Sequence, residues 1–140
     1  MLKALNLRNA TFQVCDVNLL NPANHGMFDL VIAFETFQHL SHPQIVLQNV
    51  FNCLMENGSF LMIDTDASSQ LEDNIPHGSV GYSLSTLHSI PITLSQDGGA
   101  ALGSMLGSQK ITQMLAHVGF LDVKYYGGKR QEHGVFVCKK

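Results

Sequence analysis

The clearest pattern along the chain is a strand, a helix and a second strand in its middle third. Residues 28–34 form an apolar run interrupted by a single charge, which is typical of a strand covered on both faces. The next apolar positions have helical spacing, at Leu47, Val50, Phe51 and Leu54. Ser41 and Pro43 favour the start of this helix, Gly58 favours its end, and a second apolar run occupies residues 59–64. We therefore predict a βαβ unit with a right-handed crossover.

The C-terminal third predicts one more helix and a strand hairpin. Ser108 can cap a helix that Gly119 ends, and four apolar positions between them share one face: Ile111, Met114, Leu115 and Val118. Residues 121–126 and 135–139 have strand composition, and the loop between them is short and Gly-rich, so we expect them to pair antiparallel. Near the N-terminus, residues 10–15 are a further candidate strand.

Residues 65–107 break this regular pattern. They carry Ser, Gly, Asn, Asp and His with short apolar patches, such as residues 90–92. A weakly periodic stretch of this length in a compact domain is usually a functional lid or a disordered insertion. The apolar content favours a lid. We therefore predict a single domain over residues 1–140 that carries a substrate lid at 65–107.

Composition narrows the class of protein. A chain of 140 residues with 45% hydrophobic residues can bury a core as one domain. Lys and Arg number 8 against 11 Asp and Glu, without a basic run, so direct nucleic-acid binding is disfavoured. No apolar stretch approaches the roughly 18 to 20 residues that span a bilayer. Three widely spaced cysteines favour free thiols over a disulfide framework or a zinc motif, and a cytoplasmic protein is expected.

The order of these elements resembles the second half of a class I S-adenosylmethionine (SAM)-dependent methyltransferase core. Residues 9–16 resemble the family's third strand with its terminal acid, residues 27–35 its fourth strand, and residues 54–64 its next helix end and fifth strand. The C-terminal hairpin resembles the antiparallel end of the family's sheet. The resemblance implies an incomplete Rossmann-like α/β sheet, mainly parallel with a C-terminal antiparallel hairpin.

The lid is similar to that of one methyltransferase subgroup, whose members carry an N-terminal winged-helix segment. The similarity lies in Leu71 to Asn74, His77, Gly81 and Tyr82, Ser85 to His88, and Gly98 to Gly107. Family strands one and two have no counterpart, and no G-x-G-x-x-G occurs in the sequence. The resemblance therefore implies a fragment without the Gly-rich loop and the ribose-binding carboxylate. A homodimer partner or a separate N-terminal half would complete it.

The resemblance implies SAM as the cofactor and four residues that contact it. The Asp16 carboxylate would accept a hydrogen bond from the adenine amino group, with the Val17 backbone beside the ring. Phe34 and Glu35 would border the methionine end and the positive sulfur, at the carboxyl end of a strand where such folds bind ligands. Two simpler interpretations stay open: Asp16 caps a short helix, and Glu35 is a solvated loop acid.

Three residues form the predicted acceptor pocket. His39 follows the fourth family strand, and Tyr82 and His88 lie on the lid. An unperturbed histidine titrates near neutral pH and can deprotonate a hydroxyl or amine, and His88 is the candidate base because its context is apolar. A structural or surface histidine is the alternative for each. No pair of histidines combines helical spacing with a partner acid, so we predict no metal.

The sequence therefore predicts SAM-dependent methyl transfer to a small-molecule acceptor, with this chain alone possessing only part of the site. The alternative is a degenerate methyltransferase fragment that acts as an interaction or dimerisation module through the open strand edge at residues 29–34. A nicotinamide-dependent enzyme is a weaker third hypothesis, because it would need the absent G-x-G-x-x-G.

Overall fold

The computed structural model describes residues 8–127 and 133–140. The strands within them are β1 (Phe28–Phe34), β2 (Leu54–Thr65), β3 (Leu121–Tyr126) and β4 (His133–Lys139). The helices are α1 (Pro22–His25), α2 (Pro43–Cys53), α3 (Ser79–Leu84), α4 (Ile90–Leu94) and α5 (Ser108–Val118). Short 3-10 helices cover Val17–Leu19, Phe37–His39 and Glu72–Asn74, and a π-helical turn, Ser85–Ser89, joins α3 to α4.

The strands form one mixed sheet in the order β1-β2-β4-β3. β1 and β2 are parallel, with Val31 opposite Phe60, and α2 connects them. β4 is antiparallel to both of its neighbours, so three strands run in one direction and β4 runs in the other. This confirms the predicted α/β sheet, mainly parallel in strand direction with an antiparallel C-terminal hairpin. Part of the hairpin loop, residues 128–132, lies outside the described residues.

The core lies between one face of the sheet and the helices α2 and α5. Alternate residues of β2 and β4 point into it, including Phe60 and Phe136, both at most 1% exposed. From the helices, Leu47 and Leu115 pack against them with the same degree of burial. Their positions follow from the helical and strand periodicities of the sequence, because those periodicities put apolar side chains on one face of each element. All three cysteines, Cys15, Cys53 and Cys138, are free thiols, as predicted.

The opposite face of the sheet is uncovered at β1. Leu30, Ile32 and Phe34 alternate along the strand and are 52%, 57% and 59% exposed. They continue across the sheet into Leu61 and Ile63 of β2, which are partly buried. The prediction that β1 is covered on both faces is therefore wrong for this chain. Helices α2 and α5 pack on the Phe60 face, and β1 is also an edge strand with an open row of backbone groups.

One predicted strand is absent, and one helix is shorter than predicted. Residues 10–15 are not a strand, and Phe12 and Val14 are 84% and 105% exposed. A strand requires a neighbour to pair its backbone, and the sheet ends at β1 without one for this segment. Helix α2 ends at Cys53 rather than near Gly58, because Leu54 already pairs with Phe28 of β1.

The predicted lid segment contains one long run of helix. α3, the π-helical turn and α4 together run from Ser79 to Leu94. Pro91 lies in the first turn of α4, where a missing N–H is tolerated. The π-helical turn lies directly before α4, and such turns are frequent at functional sites. Across residues 8–127 and 133–140, the structure contains no helix with the length and apolarity that crossing a membrane requires.

Candidate functional site

The parallel strands β1 and β2 end at the same edge of the sheet, and the candidate site begins there. Glu35 follows β1 directly, and its backbone N–H donates to the Ile63 carbonyl at 2.9 Å. Its φ is +48°, which is uncommon for a residue with a Cβ and costs conformational energy. Such backbone strain concentrates at binding and catalytic sites, so the conformation of Glu35 supports its assignment to one.

Two side chains hold the Glu35 carboxylate. Gln38 donates from Nε2 to one oxygen at 2.6 Å, and Gln38 itself is 8% exposed. His133, the first residue of β4, places Nε2 3.3 Å from the other oxygen. The His133 ring also packs against Phe34, with ring centroids 5.2 Å apart. Glu35 is therefore an oriented acid at the sheet edge rather than the freely solvated loop acid of the simpler interpretation.

A second acid, Asp64, lies behind Glu35 at the end of β2. It is 5% exposed, and its carboxylate accepts from the Thr65 backbone N–H at 2.8 Å. Burial raises the pKa of Asp64 to about 6, the Thr65 hydrogen bond lowers it, and the nearby Glu35 charge raises it further.

Glu35 opens into a cleft of about 900 Å³ between the sheet edge and the lid helices. The size is at the upper end for small-molecule sites, which are usually about 300–1,000 Å³. The sheet side contributes Glu35, Gln38, His39 and residues 65–68, and the lid side contributes residues from α3 and the π-helical turn. Asp66 on the sheet side accepts a hydrogen bond from the Tyr125 hydroxyl. Burial and this acid raise the pKa of Tyr125.

The structure brings two predicted pocket residues together. The rings of His39 and His88 are 5.5 Å apart between centroids and meet edge to face at 80°. Both line the cleft, His39 from the sheet side and His88 from the π-helical turn. The His39 Nδ1 atom is buried without a hydrogen-bond partner in the described part of the chain. A buried ring nitrogen without a partner is uncommon, because it costs free energy.

The other predicted residues lie elsewhere. Tyr82 is not among the described residues that line the cleft, and its hydroxyl instead accepts from Nδ2 of Asn74, a lining residue. Asp16 caps the 3-10 helix Val17–Leu19, and one of its oxygens accepts from the Asn18 N–H at 2.9 Å. Asp16 and Val17 are also outside the described lining of the cleft. Their predicted contact with adenine stays a prediction.

Sequence reasoning missed four residues of this region: Gln38, Asp64, Asp66 and His133. Asp64 and Asp66 carried a usable signal, because both flank the end of a predicted strand. His133 carried none, since only the register of β4 on β2 brings it to Thr65 and hence to Glu35. Among residues 8–127 and 133–140, no three His, Cys, Asp or Glu side chains are grouped so that they could hold a metal ion.

The sheet order, the antiparallel hairpin and a cleft at the strand ends define an α/β domain of the Rossmann-like methyltransferase class. A family model described as a methyltransferase domain matches residues 1–119. The chain therefore belongs to this methyltransferase family.

Solved structures share the same fold. An O-methyltransferase family protein from Burkholderia thailandensis is 12% identical with a TM-score of 0.68, over 99% of this chain and 38% of its own. The trans-methyltransferase CalH, solved with SAH, is 16% identical with a TM-score of 0.68, over 98% of this chain and 37% of its own. Human N-acetylserotonin methyltransferase, solved with SAM, is 17% identical with a TM-score of 0.53, over 80% of this chain and 29% of its own.

The chain thus spans about a third of the length of these solved structures. At such low identity the similarity shows the fold. No curated protein sequence matches the chain.

Proposed function

We propose that this chain forms the acceptor-facing part of a SAM-dependent methyltransferase site and takes part in methyl transfer to a small molecule. The observation that carries the proposal is the cleft at the carboxyl ends of β1 and β2, with an oriented acid on its sheet side and a histidine pair across it. In this proposal residues 1–140 form a single domain, and residues 65–107 act as its substrate lid.

The side chains at Glu35 fit one end of the cofactor. SAM, when bound, supplies a methyl group attached to a positively charged sulfur. A carboxylate held by Gln38 and His133 in a partly buried position favours positive charge nearby, because the local dielectric is lower than in water. Phe34, which is 59% exposed beside it, offers apolar contact to the methionine end. In the same proposal Asp16 and Val17 contact the adenine.

The histidine pair fits the proton transfer that methylation of a hydroxyl or amine requires. In this proposal a ring nitrogen of His88 accepts the proton from the acceptor. His39 packs edge to face against His88 and fixes its orientation. Tyr82 acts indirectly, by holding Asn74 in the wall of the cleft.

Calorimetric titration of SAM and of its demethylated product, S-adenosylhomocysteine (SAH), into the purified chain tests the proposal. We expect micromolar binding that Glu35→Gln weakens for SAM more than for SAH, because SAH lacks the positive sulfur. Asp16→Ala tests the adenine contact in the same assay. Glu56→Gln is the matched control, since Glu56 is an exposed acid near the other end of β2. A folded chain that binds neither compound would refute the proposal.

One observation favours a second candidate function, that of an interaction module. The uncovered β1 face and its open edge leave three large apolar side chains more than half exposed: Leu30, Ile32 and Phe34. Antiparallel pairing of β1 with β1 of a second copy about Val31 would place Leu30 opposite Ile32 and join two sheets into one. A dimer without SAM affinity would favour this function over methyl transfer.

A further inference from the structure

The lining of the cleft contains several acids and no permanently charged cation among the described residues. Three acids line it, Glu35, Asp66 and Asp73, and no Lys or Arg does so among the described residues. The remaining ionisable lining residues there are histidines, which carry charge only when protonated. A cleft lined by one sign of charge concentrates its potential and attracts ligands of the opposite sign. The cleft therefore disfavours a carboxylate or phosphate on the acceptor.

The three acids have different partners. Glu35 is held by Gln38 and His133 at the place where the proposed function puts the positive sulfur. Asp66 accepts from the Tyr125 hydroxyl. Asp73 lies on the lid side, in the 3-10 helix Glu72–Asn74, and accepts from the Ser68 hydroxyl at 2.7 Å. This bond orients an exposed carboxylate at the entrance of the cleft, which leaves Asp73 as the acid best placed for the acceptor.

The lid also presents an apolar surface to the cleft. Val80 and Leu84 lie one helical turn apart, line the cleft, and are 68% and 55% exposed. Met105 lines the same wall, and a methionine side chain adapts to apolar ligands of different shapes. An acceptor with an apolar body would cover these side chains.

We infer that the methyl acceptor is a small amphipathic organic cation, with its apolar body against Val80 and Leu84 and its ammonium group facing Asp73. The inference rests on the proposed function, because it assigns Glu35 to the cofactor and the acceptor to the remaining space. It excludes acceptors whose only ionised group is an anion.

Three phenols of nearly equal size test the inference: tyramine, which is cationic, 4-hydroxyphenylethanol, which is neutral, and 3-(4-hydroxyphenyl)propionate, which is anionic. Their affinities for the SAH-saturated chain would be measured by NMR chemical-shift titration at neutral pH and low salt. We expect tyramine to bind most tightly and the propionate most weakly. Added salt should narrow the difference, since an exposed charge pair is screened.

A pair of substitutions locates the charge. Asp73→Asn should weaken tyramine binding about two- to fivefold, the range of a solvent-exposed ion pair, and leave the neutral phenol unchanged. Glu72→Gln makes the same change of charge in the same 3-10 helix but outside the described lining, and should have no effect. Equal effects of the two substitutions would overturn the assignment to Asp73.

The outcomes separate the inference from the proposed function. If the chain binds SAH but prefers the propionate, or binds none of the three phenols, the inference of a cationic acceptor is overturned. The proposed methyltransferase site then still stands. Failure of the folded chain to bind SAH overturns the proposed function, and the inference with it.

Discussion

Asp64 makes the stability of this fold depend on pH in a way that one substitution can reveal. The side chain is 5% exposed, and its pKa is raised from 3.8 to about 6, chiefly by burial. Well below pH 3.8 the carboxyl is protonated in both the folded and the unfolded chain. Above pH 6 the carboxyl is ionised in both the folded and the unfolded chain, and the folded chain then holds a buried charge. Because the pKa is raised on folding, the stability contribution is lost as pH increases from about 4 to about 6.

The magnitude follows from the change in pKa. A rise from 3.8 to about 6 corresponds to about 3 kcal/mol of unfolding free energy, at about 1.36 kcal/mol for each pH unit. Asp64→Asn removes the charge and keeps an oxygen that can accept from the Thr65 N–H. We expect the variant to exceed the wild type in stability by up to about 3 kcal/mol at pH 8 and by much less near pH 4.

Urea unfolding followed by circular dichroism, at intervals between pH 4 and pH 8, measures this difference directly. Asp29→Asn is the matched control, because Asp29 is an exposed acid on the neighbouring strand and its replacement should leave the pH profile unchanged. An Asp64→Asn variant that is no more stable than the wild type at pH 8 would show that the buried charge is not a cost. Burial would then not raise the pKa of Asp64.

Three further predictions concern the core, the open face and the proton transfer. Leu115→Ala should cost about 2–5 kcal/mol in urea unfolding, because Leu115 is fully buried, whereas Leu87→Ala at an 80% exposed position should cost under about 0.5 kcal/mol. If β1 pairs with a second copy, Ile32→Lys should convert a dimer to a monomer in light scattering, and an unchanged mass would contradict that pairing. His88→Gln should lower radiolabelled methyl transfer about a hundredfold or more without changing SAH affinity, and an unchanged rate would assign the proton to another group.

The parts of the fold that the sequence predicts correctly are those fixed by local periodicity. α5 and the paired strands β1 and β2 follow from apolar spacing, because each of them buries a face against the same core. The segment at residues 10–15 has the same composition as a strand but does not form one, since strand formation depends on a neighbour that local pattern does not reveal. The local apolar run also favoured a β1 covered on both faces, whereas its open edge was predicted from the absence of family strands one and two.

The candidate site likewise contains residues that the sequence can predict and contacts that it cannot. Glu35 could be predicted because it ends a strand, and the position of an acid at a strand end is visible in the sequence. The contact between His39 and His88 could not, because the π-helical turn before Pro91 sets the direction of His88. The contact of His133 with Glu35 also depends on long-range strand register.

If the strand-end cleft binds the cofactor of methyl transfer, amide chemical shifts should locate the bound cofactor there. SAH titrated into isotope-labelled chain should move the signals of residues 34–39 and 64–67 most, while the signals of Leu115 and its core neighbours stay in place. A folded chain whose signals do not move, or move only around Leu30 and Ile32 on the open face, would contradict cofactor binding in the cleft.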